Sequence, residues 1–517
     1  MLVGVDVGGT NTDAVLMDGP RLINAVKLPT TPDVTTGIVD AMRELLAELP
    51  AGARADAVMV GTTHFTNALL ERRELAPTAV LRLCLPATQL LPPLVDWPDD
   101  LRDAIGGFTY MVGGGHEFDG REISPLDRGE IRRAVADMRR QGVRSVAVSG
   151  VFSPVNGEHE SAAAAMVREE APDLRVCVSH ENGRTGLLER ENAATLNAAL
   201  GELAQRTIRG IERAIEELGV DAPLYLSQND GTLMDADFAS NFPVLTIASG
   251  PTNSMRGAAW LSGIRDGIVV DVGGTSTDVG ALVNGFPREA AVAVEMAGVR
   301  TNFRMPDTVS IPLGGGTVVE SDPLRIGPES VGYRLLESGL VFGGGTLTTT
   351  DVAVASGRAQ LGDPQLVAGM DASVVRRVNT EIQRRVETAI DRVKLSRDDV
   401  PVALVGGGSI LLGDELAGAS EVLRPENSGV ANAIGAAIAQ VGGQVERVYS
   451  LEGMGREQAI ADCSAAAVAR AVSAGADPAT IEVVEIDEVP LTYVPSNATR
   501  VRVKAVGDLA GLGGSAR

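Results

Sequence analysis

Eight residues near the start of the chain, Asp6-Val7-Gly8-Gly9-Thr10-Asn11-Thr12-Asp13, return as Asp271-Val272-Gly273-Gly274-Thr275-Ser276-Thr277-Asp278, with Ser276 in place of Asn11 as the only difference. Paired glycines let the backbone turn tightly and present N–H groups without Cβ obstruction. The hydroxyls that follow add donors, so such a turn can wrap a phosphate. Aspartates on both sides would repel a bare phosphate, but they can hold Mg2+ directly or through water, and the cation neutralises the phosphate charge. One Gly-Gly turn in a chain with 60 glycines is usually a simple hairpin. Two near-identical copies point to nucleotide phosphates.

The elements that must position these turns are also repeated. Each copy follows a short apolar strand (residues 2–5 and 268–270) and leads into another (14–17 and 279–283). Each then meets a hairpin signal, Asp18-Gly19 or Asn284-Gly285. Between the copies, residues 191–218 read as a long amphipathic helix, with Leu196, Leu200, Leu203, Ile208, Ile211, Ile215 and Leu218 near helical spacing. Its start, Thr195-Leu196-Asn197-Ala198-Ala199, and a later small-residue helix at 429–437 are expected to pack closely as a hinge between two lobes. A further helix at 374–393 precedes the strand 402–405 and the turn Gly406-Gly407-Gly408-Ser409. Glycines at a strand end admit a flat ligand close to the backbone, which makes these four residues the candidate adenosine site. Other glycine triplets at 113–115, 314–316 and 343–345 carry no such context.

The order of phosphate turn, helix, second phosphate turn, helix, Gly-rich strand end and small-residue helix resembles the actin, Hsp70 and sugar-kinase superfamily. Flanking motifs narrow the resemblance. The segment Gly61-Thr62-Thr63-His64-Phe65-Thr66-Asn67-Ala68-Leu69-Leu70-Glu71-Arg72 is similar to one in the hydantoinase and 5-oxoprolinase family. So are Gly113-Gly114-Gly115-His116-Glu117-Phe118-Asp119-Gly120, Ser179-His180-Glu181, Glu189-Arg190, Ser249-Gly250-Pro251 and Gly257-Ala258. The similarity runs from residue 1 to about residue 440. Two departures stand out: larger members carry a substantial C-terminal region where only residues 447–517 remain here, and Ser409-Ile410-Leu411-Leu412 stands where those members often have a histidine.

The resemblance implies an α/β, two-lobed actin-like ATPase fold with duplicated RNase-H-like domains. It divides the chain into an N-terminal lobe (1–190), a second lobe with the adenosine site (191–446) and a small C-terminal α/β segment (447–517), helical at 465–474 and strand-like at 481–486 and 500–505. It also implies ATP-dependent opening of a cyclic amide such as a hydantoin or 5-oxoproline-like lactam. An unstrained lactam is a poor electrophile, and phosphorylating its oxygen creates a leaving group. On this reading Gly8, Gly9, Thr10, Asn11 and Thr12, with Gly273, Gly274, Thr275, Ser276 and Thr277, bind the phosphates of ATP. Asp6 and Asp271 hold Mg2+ through water, and Asp13 or Asp278 positions the attacking group. A second, unrelated subunit is the expected partner, and a homodimer is equally compatible. A small-molecule kinase and an ATP-driven chaperone or activase are the alternatives.

Four histidines occur. His64, His116 and His180 lie in family-like segments, where they can act as acid, base or ligand. His159 is expected on a solvated helix start. Glu117 and Asp119 flank His116, without a spacing diagnostic of a metal.

Composition limits the remaining choices. With 517 residues, 44% hydrophobic and 22% charged, the chain reads as a multidomain globular protein. A net charge of −23 and only 3% aromatic residues argue against nucleic-acid or anionic-membrane partners. Three scattered cysteines, an opening that reads as a strand, and the absence of membrane-length apolar runs point to a reducing, cytoplasmic setting.

Overall fold

The computed structural model describes residues 1–31, 34–48, 54–182, 185–290, 294–302, 305–491 and 497–510. Strand Leu2–Val7 is apolar except at Gly4 and Asp6, the pattern of a strand covered on both faces. It lies third from one edge of a sheet that has nine strands among the described residues. Asn11–Asp18 pairs with it antiparallel and Ala57–Thr62 parallel. Arg21–Pro29 forms one edge; in the other direction the sheet continues through Leu224–Ser227, Leu233–Asp235, Val441–Ser450 and Ala498–Gly507 to Glu482–Pro490.

The second copy builds the same unit. Gly267–Val272 pairs antiparallel with Thr277–Val283 and parallel with Val400–Val405. Even the register repeats: Asp6 lies opposite Asp13, and Asp271 opposite Asp278. The Asn284-Gly285 signal is a true hairpin, with φ of 54° and 82° at its two central residues and Val283 paired to Phe286. The two-lobed architecture with a duplicated sheet unit is therefore the one observed.

A third sheet, Phe108–Gly113, Thr78–Leu85, Ser145–Gly150 and Arg175–Val178, is parallel throughout. The long helix spans Leu187–Glu217 and packs on this sheet and on the core of the nine-stranded one. Every residue from Arg190 to Gly201 is buried, so its polar groups must be paired inside the protein. Arg82 donates to both carboxylate oxygens of Glu191 at 2.6 and 2.5 Å, and the Ser149 hydroxyl donates to the same group at 2.5 Å. The expected boundary at 190/191 falls inside this helix, and Leu224–Ser227 and Leu233–Asp235 beyond it belong to the first sheet.

The small-residue helix is Ala431–Ala437, and its close partner is Ser249–Ser262 rather than the start of the long helix. A Cβ at Gly257 would lie 1.9 Å from the Ala431 carbonyl oxygen, and one at Gly435 would lie 1.8 Å from that of Asn253. The expected pairing fails because residues 195–199 are surrounded by core and neighbouring chain: Leu196 lies in the first-lobe cluster, and Asn197 donates to the Asn241 carbonyl at 2.9 Å. Ala431–Ala437 also covers the first sheet, where a Cβ at Gly4 would lie 2.2 Å from the Ala433 carbonyl.

The C-terminal segment is α/β, and its strands extend the first sheet. Helix Arg456–Ser473 covers them through Ala459, Cys463 and Ala467. Cys84, Cys177 and Cys463 are buried and free. Among the described residues no helix is long and apolar enough to cross a membrane.

Replacing Gly257 or Gly435 by Ala must push two helix backbones apart. Each substitution is expected to destabilise the chain by about 1–3 kcal/mol or more, typical of forced overpacking. Gly429→Ala, whose Cβ would meet nothing within 4 Å, is the control. Urea unfolding midpoints check this, and equal midpoints for Gly435→Ala and Gly429→Ala would refute the packing argument.

Candidate functional site

The duplicated turns are closed by the same bond, from the Gly8 N–H to the Asn11 carbonyl at 3.0 Å and from the Gly273 N–H to the Ser276 carbonyl at 2.9 Å. They face each other tip to tip: a Cβ at Gly274 would lie 2.8 Å from Thr10 Oγ1. The first turn is braced by Thr30 Oγ1, which donates to the Gly8 carbonyl at 2.7 Å, and by Thr63 Oγ1, which donates to the Val7 carbonyl at 3.3 Å. Thr63 places the segment containing His64 beside this turn, since Ala57–Thr62 runs parallel to Leu2–Val7 with Thr62 level with Val7.

Two glycine triplets back the second turn. At 406–408, a Cβ on Gly406 would lie 2.3 Å from Asp271 Oδ1 and one on Gly408 would lie 2.6 Å from the Gly273 carbonyl, while Gly407 faces open space. The candidate adenosine glycines therefore adjoin the second turn, and Ser409 continues them into the short helix Gly407–Leu411. The other triplet, 314–316, gave no sequence signal beyond its glycines. It lies along the same turn, with the Gly315 N–H donating to Gly273 at 3.0 Å and the Gly316 N–H to Gly274 at 2.7 Å.

Strand alternation separates the predicted residues. Gly9 and Thr275 are exposed and Asn11 and Ser276 half-buried at the turns, whereas Thr12 and Thr277 point into the lobes. Thr12 Oγ1 faces Gly37, and Thr277 Oγ1 donates to the Leu313 carbonyl at 2.6 Å. Thr277 thus braces its turn from behind, whereas Thr12 packs inward.

Four aspartates lie at the base of the turns. Asp6 accepts from Asn253 Nδ2 and Asn432 Nδ2, each at 3.3 Å, so the close-packed helices each contribute one amide. Burial pushes its carboxyl up to about 6 against these bonds, and the charge of Asp13 adds to the rise. Burial pushes Asp271 up to about 7, helped by Asp278, Asp6 and Asp13 and opposed by Ser254. Asp13, raised by burial, pairs with Lys27; Asp278, also raised by burial, is eased by Ser310. Carboxylates so raised form a site that a cation would relieve. Among the described residues no three His, Cys, Asp or Glu side chains converge to cage a metal. A Mg2+ ion here fits as one that keeps water and takes other ligands from phosphate.

The histidines divide between two places away from the turns and one beside them. His159 is buried instead of solvated: its Nδ1 accepts from the Gly115 N–H at 3.0 Å, its Nε2 lies 3.1 Å from Glu122 Oε1, and its ring packs 4.3 Å from that of His116. The helix Glu158–Glu170 starts under the loop of residues 113–116, so its first turn is covered by chain. Burial, and then His159, lower the pKa of His116. Asp119 is engaged by Arg121, and no metal cluster forms there among the described residues. His180 Nδ1 lies 2.6 Å from Glu160 Oε2, and Glu160 is fully buried near Arg190. Burial alone would lower His180 and raise Glu160, but their hydrogen bond and mutual charge prevail, raising the former and lowering the latter.

Residues 2–171 match the model of the hydantoinase/oxoprolinase N-terminal region, and residues 190–363 match that of hydantoinase/oxoprolinase. The chain is 29% identical over 465 residues to the caprolactamase alpha subunit of Pseudomonas jessenii, covering 78% of this chain and 65% of that one. It is 28% identical over 403 residues to the acetophenone carboxylase gamma subunit of Aromatoleum aromaticum, covering 69% of this chain and 53% of that one. It thus spans about half to two thirds of these relatives. The crystal structure of ATP-dependent caprolactamase from Pseudomonas jessenii shares the fold, with a TM-score of 0.77 at 23% identity over 98% of this chain and 88% of that one.

The pair of His180 and Glu160 carries a pH signature. A histidine whose pKa rises on folding stabilises the fold fully below its ordinary value of 6.5 and loses that contribution as pH climbs through the raised value. His180→Gln is expected to lower the melting temperature more at about pH 5.5 than at about pH 8.5. Equal losses at both pH values would exclude the ion pair.

Proposed function

The chain belongs to the hydantoinase/oxoprolinase family, and from that premise we propose that it is an ATP-dependent amidohydrolase that opens a cyclic amide. The observation that carries this reading is the meeting of two identical Gly-Gly-Thr turns, Thr10 against Gly274, over buried aspartates that lack charge balance. Gly8, Gly9, Thr10 and Asn11 on one side and Gly273, Gly274, Thr275 and Ser276 on the other offer backbone and side-chain donors to the phosphates of ATP. Gly406, Gly407, Gly408 and Ser409 adjoin the second turn, as an adenosine-binding edge would. Mg2+, held through water by Asp6 and Asp271, would supply charge neutralisation for the transferring phosphoryl group.

The reaction balances with ATP and two waters as co-substrates. The lactam oxygen takes the γ-phosphoryl group and ADP leaves. One water adds to the activated carbon, the ring C–N bond breaks, and the nitrogen takes a proton. A second water then releases phosphate from the acyl phosphate, leaving the amino acid. Asp13 and Asp278 occupy equivalent register positions opposite Asp6 and Asp271, and one of them orients the attacking group. Lys27, on Asp13, favours the charged form of that carboxylate against the rise that burial imposes.

Two relatives are named as subunits, alpha in one case and gamma in the other. This supports a multi-subunit assembly in which this chain provides ATP hydrolysis and a second hydantoinase-type subunit completes the substrate chemistry. The buried free thiols are compatible with a cytoplasmic setting.

The test is phosphate release from MgATP by the purified chain with hydantoin, 5-oxoproline and larger lactams, alongside quantified ring-opened product. One ring is expected to stimulate release with matching product. Either Asp13→Asn or Asp278→Asn is expected to lower turnover on the order of a hundredfold. A stable phosphorylated product would identify a kinase instead, and full turnover by both variants would remove the aspartates from the mechanism.

A further inference from the structure

The C-terminal strand Ala498–Gly507 has one face that its own helix does not use. Its residues alternate as Arg500-Val501-Arg502-Val503-Lys504-Ala505, and the period of two sends them to opposite sides. Val501, Val503 and Ala505 pack with Ala459, Cys463 and Ala467 of the covering helix. Arg502 and Lys504 turn the other way and meet the second lobe. Arg502 Nη1 donates to Glu289 Oε2 at 3.1 Å, and Lys504 Nζ lies over the Phe286 ring, 5.0 Å from its centre. Both cations are also fixed within the first lobe. Arg502 Nη2 pairs with Glu485 of the neighbouring strand, and Lys504 Nζ pairs with Asp230 Oδ2 at 3.2 Å. Lys504 and Asp230 are only 5% and 4% exposed, so their pairing is shielded from water in a way that surface ion pairs are not.

Phe286 and Glu289 belong to the second lobe. Phe286 pairs with Val283 across the Asn284-Gly285 hairpin, and the Arg288 N–H donates to the Ala281 carbonyl at 2.8 Å. Arg256, on the helix Ser249–Ser262, holds the same corner. Its Nη1 donates to the Gly285 carbonyl at 2.7 Å, and its guanidinium carbon lies 4.1 Å from the centre of the Phe286 ring. One aromatic ring is thus gripped by a cation from the close-packed helix pair and by another from the C-terminal strand.

That ring sits at the far end of the strand that carries the second phosphate turn. Thr277–Val283 runs from the turn to the hairpin, a length of about 20 Å. At the near end the turns touch, since a Cβ on Gly274 would lie 2.8 Å from Thr10 Oγ1, so a phosphate chain passes between them only when they part. Strands paired through their backbones move as one piece. Parting the turns therefore shifts Phe286 and Glu289 against Lys504 and Arg502. We infer that the C-terminal strand is a latch on the second lobe: Arg502 and Lys504 hold the two turns together and so set the rate at which nucleotide enters and leaves. The inference rests on the nucleotide reading of the turns and adds to it a role for the segment that follows the small-residue helix.

Stopped-flow release of a fluorescent N-methylanthraniloyl-ADP, loaded with Mg2+ on the full chain and chased with excess ADP, tests this. Glu289→Gln removes the charge that Arg502 meets across the lobes, and Phe286→Leu removes the ring. Each is expected to speed release about fivefold. Arg456→Gln cuts an ion pair with Glu488, 2.7 Å long, that lies wholly inside the C-terminal segment, and should leave the rate unchanged. Amide hydrogen exchange without nucleotide is the second readout. Peptides covering residues 8–12 and 273–277 should exchange faster in the two latch variants than in the wild type or Arg456→Gln. Unchanged release, or unchanged exchange at the turns, in both latch variants would overturn the inference. Equal acceleration by Arg456→Gln would overturn it too, because that result is general loosening. A chain that binds no nucleotide, yet whose turns exchange faster in the latch variants, would keep the latch between the lobes and overturn the nucleotide reading.

Discussion

The close approach of two helix backbones, Ser249–Ser262 and Ala431–Ala437, is the constraint on which the rest depends. Gly257 and Gly435 allow each helix to touch the other's carbonyls, and no side chain larger than hydrogen fits at either point. Once in contact, the pair serves both lobes. Ala433 presses on Gly4 of the first sheet, while Met255, Ala258 and Ala431 share a core with Val269 and Ala403 of the second. The same two helices deliver Asn253 and Asn432 to Asp6. Lobe spacing and the orientation of a buried carboxylate are thus set by one contact, and a change in the crossing of the helices would be felt at Asp6 directly.

Charge makes the turns a site rather than a pair of hairpins. In a chain of net charge −23, four of the aspartates lie at neighbouring turns, where burial strips their hydration and their charges oppose one another. Burial raises all four, yet the neighbouring help is unequal: Asp13 has Lys27, Asp6 has two amides, and Asp271 has mainly like charges around it. Such an arrangement weakens the isolated fold near neutral pH, because groups with raised pKa values hold back stability as they ionise. A bound cation reverses the sign of the interaction, so the feature that strains the empty cleft favours a metal-bound nucleotide.

Much of this was legible in the sequence, because the informative features were local. The repeated octapeptide and the Asn284-Gly285 hairpin each state their own backbone geometry, and the structure shows the strand, turn and strand that both imply. What could not be read depends on contacts between distant segments. Asn253 and Asn432 reach Asp6 across 247 and 426 residues, and Lys27 reaches Asp13 only through strand pairing. Thr12 and Thr277 looked like ligands by type, but the period of two along a strand turns them inward. His159 looked solvated because Asn156-Gly157-Glu158 is a polar helix start; the loop bearing His116 covers it. The small-residue helix was recognised and its partner was not, since several stretches have similar composition and only the facing glycines decide.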